Sequence, residues 1–234
     1  MSRADITEAL GRLDDLTRRL RVECPWDREQ DERSIVPHTV EEAYELADAA
    51  VAGDDRKLLD ELGDVLFQVH FLSLLLEERG AGDLAMVAEH IRQKLIRRHP
   101  HVFADVDVEH ADDVLRNWDA IKREEPDREP GIFGEVPENL PSPLFARKLL
   151  RRAASAGVRR PHDGDALGVL VEEAQALTRA AGHEERRFDA VGDVLFAAVA
   201  AARELNIDPE LALRSAADRF RRQTEGQEEP PARG

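Results

Sequence analysis

The sequence predicts an all-α protein, and three observations support that prediction. Apolar residues recur every three or four positions, which places them on one face of a helix; in residues 4–21 the stripe includes Ile6, Leu10, Leu13 and Leu16. Strand-like alternation of β-branched residues is hard to find. Charged residues make up 35% of the chain and apolar residues 42%. These proportions indicate long helices that bury one face in a core and expose the other to solvent.

Length and charge restrict the function classes. The 234 residues suit one large domain or two small ones, and the net charge of −16 argues against a nucleic-acid polymer as partner. The single Cys24 excludes an intrachain disulfide and fits a reducing cytoplasm. The N-terminus lacks the layout of a signal peptide, and the longest apolar tract, Val65–Leu76, is too short to span a membrane. We therefore predict a cytoplasmic protein that does not bind membranes.

A helical hairpin over residues 39–76 carries two pairs of acids. Each pair has a spacing of three, which places both carboxylates on one helix face, and a short turn at Gly53 favours antiparallel closure of the hairpin. Four carboxylates in one small volume cannot all stay ionised without cations, and Mg²⁺ is the cation that best suits oxygen ligands. We predict a metal site formed by Glu42, Glu45, Glu61 and Asp64.

A structural explanation of these acids is also open. Thr39 and Glu42 fit a capping box, and Glu41 can favour a helix N-terminus after a loop predicted over residues 22–37. Capping does not explain Asp64, because the second helix is apolar on nearly all sides and is predicted to be buried within a bundle. An acid in such a helix needs a partner, since an unpaired buried charge is costly.

Basic and aromatic side chains follow the hairpin. Lys94, Arg97 and Arg98 cluster at the C-terminal end of the next predicted helix, where they complement the helix dipole or clamp phosphate groups. Trp118 and Lys122 are four residues apart and therefore share a helix face. This pair suits stacking on a base beside a phosphate contact, or a core tryptophan beside a lysine that reaches solvent.

Proline content divides the chain. Residues 126–143 contain five prolines and two glycines and are predicted to be a linker. The predicted domains are 1–125 and 144–224, followed by a disordered tail at 225–234.

The two halves also repeat each other. VEEAYEL at Val40 matches VEEAQAL at Val171, and GDVLF recurs at Gly63 and Gly192. In the second copy, Ala176 and Ala190 replace the glutamates that correspond to Glu45 and Glu61. We therefore predict one live site in the first half and a degenerate partner in the second.

These motifs resemble a known family. The pattern EExxE at Glu41–Glu45, followed by ExxD at Glu61–Asp64, is similar to that of the all-α nucleoside triphosphate pyrophosphohydrolases. The flanking strings CPWD at Cys24, KLIRRHPHVF at Lys94 and NWDAIK at Asn117 resemble the MazG family specifically. The resemblance covers the chain up to its tail, including the two-copy layout.

The resemblance implies a homodimer of tandem MazG-like helical bundles that hydrolyses NTP or dNTP to the monophosphate and pyrophosphate. The implied cofactor is Mg²⁺, with Mn²⁺ as an alternative, and the implied role is house-cleaning of the nucleotide pool. Some family members keep their working site in the second copy, an arrangement from which Ala176 and Ala190 depart. By position, the metal ligands would be Glu42, Glu45, Glu61 and Asp64, and the substrate contacts Lys94, Arg98, Trp118 and Lys122.

Two questions stay open at this point. Either Glu41 or Glu45 would orient or deprotonate the water that attacks the α-phosphorus. The alternatives to the main function are a dedicated phosphoribosyl-ATP-type pyrophosphatase and a non-catalytic helical scaffold with a structural metal site. The two-copy layout and the MazG strings count against the first, and the intact set of four acids counts against the second.

Overall fold

A computed structural model confirms the all-α prediction, because the described residues form helices and contain no β-strand. The structure describes residues 2–104, 110, 114, 117–118, 120–122, 125, 131–134, 136–137, 139–158, 164–180 and 184–225, the last range without the side chain of Glu185. The helices are α1 (Arg3–Glu23), α2 (Pro25–Glu29), α3 (Glu32–Ala52), α4 (Asp55–Glu78), α5 (Leu84–Arg98), α6 (Pro100–Phe103), α7 (Ser142–Ser155), α8 (Ala166–Arg179), α9 (Glu184–Glu204) and α10 (Pro209–Glu225). Residues 114, 117, 118 and 120–122 are also helical.

The chain divides into two compact units, Met1–Arg97 and Arg98–Gly234. Our division into domains 1–125 and 144–224 stays a prediction. Much of the predicted linker, and residues 226–234 of the predicted tail, lie outside the described residues. None of the helices in the described ranges has the length and apolar character that crossing a membrane requires.

The loop predicted over residues 22–37 is wrong, because α2 and the start of α3 occupy most of it. Asp31 and Ser34 form a reciprocal capping box: Asp31 Oδ1 accepts from the Ser34 amide at 2.8 Å, and Ser34 Oγ accepts from the Asp31 amide at 2.9 Å. Thr39 therefore lies inside α3, where its hydroxyl donates to the Ile35 carbonyl. The proposed capping box of Thr39 and Glu42 does not exist, which removes the capping explanation for Glu42.

Helices α3 and α4 pack as an antiparallel hairpin. Gly53 ends α3 with a φ of 69°, a left-handed conformation that glycine adopts without steric cost. Asp54 then begins α4, since its Oδ1 accepts from the amides of Arg56 and Lys57 at 3.1 and 3.0 Å. The turn thus forms where it was predicted, and it brings the acid-bearing faces of the two helices together. The hairpin's core contains Ile35, Phe71 and Leu75, with Phe67 and Leu72 packed against it.

Two bidentate ion pairs hold α1 against the C-terminal end of α4. Arg18 pairs with Glu77 at 3.0 and 2.6 Å, and Arg21 pairs with Glu78 at 2.8 Å for both hydrogen bonds. Arg21 also donates to the carbonyls of Asp27 and Gln30. One guanidinium therefore links α1, the segment around α2 and α4.

The second unit contains a similar helix pair, formed by α8 and α9. Glu204 near the end of α9 accepts from the amides of Gly164 and Ala166, which fixes the start of α8. Helix α7 packs against α9 and α10. The buried core of this unit consists of Leu150, Ala166, Val199, Ala200 and Ala201, with Ala146 and Leu170 packed against it.

Candidate active site

Three of the predicted acids gather on the α3–α4 hairpin. Glu42, Glu45 and Glu61 each offer a carboxylate oxygen, and the three atoms all lie within 4.8 Å of one another. The arrangement follows from the sequence, since Glu42 and Glu45 are one turn apart on α3 and Glu61 lies on the antiparallel partner. Oxygen ligands on opposite sides of one Mg²⁺ are about 4 Å apart, so the group matches the size of a divalent-cation site.

Burial and mutual repulsion disfavour the ionised form of these carboxyl groups. Glu61 is only 5% exposed, and burial raises the pKa of its carboxyl, as does repulsion from Glu45. Burial likewise raises the pKa of Glu42, followed by the charges of Asp64, Glu45 and Glu61. Ionised carboxylates are therefore disfavoured here, and a bound cation would relieve both the burial and the repulsion.

The other two predicted acids lie at the edge of this group. Asp64 is exposed and is not among the three clustered ligands, yet its charge is the largest repulsion that acts on Glu42. Glu41 is also exposed, and its Oε2 lies 3.2 Å from Nδ1 of His38. The hairpin thus leaves both Asp64 and Glu41 outside the three clustered ligands, while the charge of each still raises the pKa of Glu42.

The expectation that α4 is buried on nearly all sides is wrong for its N-terminal half. Leu59, Leu62 and Leu66 are exposed there, whereas Glu61 is buried. The reason is that, among the described helices of the first unit, α3 and α1 are the ones that pack against α4, and they leave one of its faces uncovered. More of the helix is buried farther along, where the buried residues include Gln68, His70 and Phe71, although Val69 is exposed there.

Three of the predicted substrate residues belong to the second unit. Arg98 lies with its Cζ 5.6 Å from the centre of the Trp118 ring, and His99 contacts the same ring edge-on at 4.8 Å. Arg98 is also paired with Glu125 through two hydrogen bonds of 3.0 and 2.5 Å. Burial lowers the pKa of Lys122, and the charge of Arg98 lowers it further. These contacts place Arg98 between a carboxylate and an aromatic ring.

The remaining two predicted substrate residues lie on α5 in the first unit. Lys94 is half-buried and Arg97 is exposed. Helix α5 makes no extensive packing contact with another described helix. The substrate-binding roles of Lys94 and Arg97 stay predictions.

Sequence reasoning missed several charged residues near the carboxylate cluster and near Lys122. Lys57 lies one turn before Glu61, and its Nζ is 3.8 Å from Glu61 Oε1. The spacing of four was a readable signal for that pair. The charges of Arg152, Arg151 and Lys148 on α7 act on Lys122, and no local signal links α7 to that lysine because the approach is tertiary.

The fold and the site define an all-α protein whose carboxylates cluster on a helical hairpin. The family model described as the MazG nucleotide pyrophosphohydrolase domain matches residues 30–103, which contain that hairpin and α5. The chain is 38% identical over 213 residues to the nucleoside triphosphate pyrophosphohydrolase of Escherichia coli (strain K12), a match that covers 85% of this chain and 78% of the relative. This chain belongs to the MazG family, which confirms the resemblance seen in its motifs.

Two further relatives match a similar share of the chain. The nucleoside triphosphate pyrophosphohydrolase/pyrophosphatase MazG of Thermotoga maritima is 36% identical over 198 residues, covering 84% of this chain and 76% of the relative. The Bacillus subtilis protein YabN is 38% identical over 203 residues, covering 85% of this chain and 42% of the relative. All three matches extend well beyond the hairpin.

Proposed function

We propose that the protein hydrolyses nucleoside and deoxynucleoside triphosphates to the monophosphate and pyrophosphate in the presence of Mg²⁺. The observation that carries the proposal is the approach of Glu42, Glu45 and Glu61 to within 4.8 Å on a helical hairpin. Relatives at 36–38% identity that are named as nucleoside triphosphate pyrophosphohydrolases support the same activity. Its substrates would be the free nucleotides of the cytoplasm, and its role house-cleaning of that pool.

The donor set fits a hard divalent cation. All the candidate ligands are carboxylates, the ligand type that Mg²⁺ prefers, and Mn²⁺ accepts the same oxygens. The raised pKa values of Glu42 and Glu61 indicate acids that gain from a nearby positive charge. Glu42, Glu45 and Glu61 would hold the cation, and Asp64 would join them from the edge of the group.

The bound cation would supply charge neutralisation for the phosphates and a lowered pKa for a coordinated water. One of the chain's own carboxylates would orient or deprotonate the water that attacks the α-phosphorus. Glu45 is one candidate because it is exposed and belongs to the clustered group. Glu41 is the other, and His38, whose Nδ1 lies 3.2 Å from its carboxylate, is placed to orient it.

The departing pyrophosphate and the base need other contacts. Arg98 and Lys122 would bind phosphate oxygens, with Lys94 and Arg97 contributing from α5. Trp118 would stack on the base, an interaction that tolerates any base because each has a π-face.

We also propose that α8 and α9 form a degenerate second copy of the hairpin. Glu173 and Asp193 occupy the positions of Glu42 and Asp64, but Ala176 and Ala190 occupy the positions of the other two acids. Within the part of the chain that the structure describes, no second group of three metal-ligand side chains accompanies the first. Catalysis would therefore depend on the first hairpin.

The exposed face of α4 supports a homodimer. Its apolar stripe consists of Leu59, Leu62, Leu66 and Val69, all exposed and spaced by three and four residues, as in a helix that packs on another helix. An apolar stripe of this length is unfavourable in water and is typical of an interface. A second copy would cover it in a symmetric contact of α4 with α4.

The test is the product of hydrolysis. Purified protein with a dNTP and Mg²⁺ should release pyrophosphate, and excess chelator should stop the release. The variant Glu61→Ala should lose this turnover while its circular dichroism stays helical. Release of orthophosphate, or turnover that survives in Glu61→Ala, would contradict the proposal. A panel of NTPs, dNTPs and phosphoribosyl-ATP separates a general enzyme from a dedicated one.

A further inference from the structure

Helix α9 in the second unit carries an exposed apolar stripe like the one on α4. Phe188, Val191 and Leu195 are 82%, 43% and 60% exposed, and their spacing of three and four places them on one helix face. We call these three residues the α9 stripe. Among the described helices, α7, α8 and α10 pack against α9, and they leave this face uncovered. Large apolar side chains in such a row are typical of an interface.

The two stripes occupy equivalent positions in the internal repeat of the sequence. The shared string GDVLF aligns Gly63 with Gly192, and this alignment places the α9 stripe at the positions of the first three residues of the α4 stripe. The same alignment places Ala190 at the position of the buried acid Glu61. Helix α9 therefore has an alanine in place of a candidate metal ligand and still carries the apolar face. This combination indicates a role in contact with another helix that does not depend on the metal.

A glycine lies within each stripe. Gly192 is four positions after Phe188 and three before Leu195, so it shares their helix face, and Gly63 has the same place on α4. Both glycines are exposed, and a Cβ added at either one would have no neighbour within 4 Å beyond the adjacent backbone. Glycine inside a helix lowers its stability relative to alanine. The packing of the chain itself does not require glycine here, whereas a second helix that crosses at this point can approach closely only past a small residue.

The surface of one stripe is too small for a stable dimer. The exposed fractions of the four residues in the α4 stripe add up to about two whole side chains. Even aromatic side chains bury only about 150–250 Å² each, so this stripe offers at most roughly 300–500 Å² per copy, against about 800 Å² per partner in a standard interface. The exposed fractions in the α9 stripe also add up to about two whole side chains. The two stripes together therefore approach the area that a stable dimer needs.

We propose that the α9 stripe packs against the α9 stripe of a second copy, so that two symmetric contacts, α4 with α4 and α9 with α9, join the same two chains. The first of these contacts belongs to the proposed function, on which this inference rests. A two-fold axis near Gly192 brings Phe188 of each copy toward Leu195 of the other. The second contact raises the affinity because it forms within a pair that is already joined. Helix α9 thus serves assembly in place of metal binding.

Sedimentation equilibrium of the full-length chain measures the dissociation constant of the dimer. Phe188→Asp with Leu195→Asp should raise that constant about 100-fold or more, since linking two contacts raises affinity by a factor of about 10²–10⁴. The control is Leu213→Asp with Phe220→Asp on α10, which changes the same two residue types, also seven positions apart, at 59% and 70% exposure. This control should leave the constant within about twofold of the parent value.

Gly192→Leu tests the contact without adding charge. It should raise the dissociation constant at least about tenfold, because the added side chain keeps the two helices apart. In the background of Phe188→Asp with Leu195→Asp, the same change should not lower the melting temperature, because the new side chain has open space and leucine is a better helix former than glycine. Gly11→Leu is the control, since Gly11 is exposed on α1 and has the same open space. It should leave the dissociation constant unchanged.

The outcomes separate the two contacts from each other and from the reaction. A parent chain that stays a single copy would refute both contacts, and a mass above two copies would refute their union in one pair. A parent dimer whose dissociation constant is unchanged in the α9 variants, or rises equally in the α10 control, would overturn the α9 contact alone. Loss of the dimer in the α9 variants but not in Leu59→Asp with Leu66→Asp would support the α9 contact and refute that of α4. Pyrophosphate release by the parent chain decides the proposed reaction whatever the mass.

Discussion

The Nζ of Lys57 lies 3.8 Å from Oε1 of Glu61, one turn farther along α4. This attraction lowers the pKa of Glu61, but burial and the repulsion of Glu45 outweigh it, and the net shift is upward. One exposed lysine therefore does not balance the negative charge of the cluster. The hairpin keeps the capacity to accept further positive charge at this position.

Replacing Glu61 by glutamine should separate stability from activity. Glu61→Gln should raise the melting temperature in chelator, because it removes a buried charge that its neighbours repel. It should also abolish the increase in melting temperature that Mg²⁺ gives the parent chain, and lower pyrophosphate release by on the order of 100-fold or more, since a metal ligand is lost.

Asp15→Asn is the matched control, because Asp15 is exposed on α1 and lies outside the cluster. It should leave both the cation-dependent stabilisation and the turnover unchanged. If Glu61→Gln lowered the melting temperature in chelator, the unfavourable burial and repulsion that we assign to the ionised Glu61 would be refuted.

Asp193→Ala tests whether the second hairpin takes part in catalysis. Asp193 is the counterpart of Asp64. In the second hairpin, however, alanines occupy two of the four positions that carry acids in the first hairpin. We expect kcat/KM within about twofold of the parent value, as for a surface substitution away from a site, whereas Asp64→Ala should lower it strongly. A large loss in Asp193→Ala, measured by pyrophosphate release at several Mg²⁺ concentrations, would argue that both hairpins act.

Local patterns were enough to predict the hairpin and the approach of three of its four acids. The turn at Gly53 and the spacing of Glu42 and Glu45 involve neighbours in the sequence, and antiparallel packing follows from them. The start of α3 was missed because Pro37 was read as a break, although Asp31 and Ser34 carried the capping signal. A proline inside a helix removes one hydrogen bond and clashes with the preceding turn, yet α3 continues through Pro37.

Tertiary properties were beyond the sequence. The apolar positions of α4 predicted burial, yet Leu59 is 74% exposed because no described helix of the first unit covers it. A pattern shows that a face needs cover and does not show whether the cover comes from the same chain. The α7 cations were missed for a related reason, since nothing in the spacing of Lys148 and Arg151 indicates that they approach Lys122.

The exposed stripe on α4 predicts the oligomeric state. The parent chain should have a mass in solution twice that of its 26.2 kDa chain, as measured by light scattering. Leu59→Asp with Leu66→Asp should shift it to a single copy, because each leucine buried in an interface contributes about 1.5–3 kcal/mol and a buried unpaired aspartate opposes association. Val22→Asp, at an exposed position on α1 outside the stripe, should keep the parent mass. A single-copy parent chain would refute the α4 contact.

The link between α1 and α4 predicts how stability changes with acid. Arg21 holds the pKa of Glu78 below its usual value of 4.5 through two hydrogen bonds and its charge. Because the folded-state pKa is the lower one, the contribution of the pair is present above pH 4.5 and is lost as the pH falls through that lowered value. Arg21→Met should cost about 1–2 kcal/mol of unfolding free energy at pH 7, near the low end since Glu78 is partly exposed and solvent screens the pair.

The measurement is urea unfolding of both proteins at a series of pH values. The difference in unfolding free energy between the parent and Arg21→Met should shrink below pH 4.5 to the part that comes from the carbonyls of Asp27 and Gln30, since those acceptors do not titrate. Arg19→Met is the control, because Arg19 pairs with Glu23 of the same helix and both side chains are exposed. A difference that stays constant from pH 7 to below pH 4 would show that Arg21 stabilises the chain through the carbonyl contacts and not through Glu78.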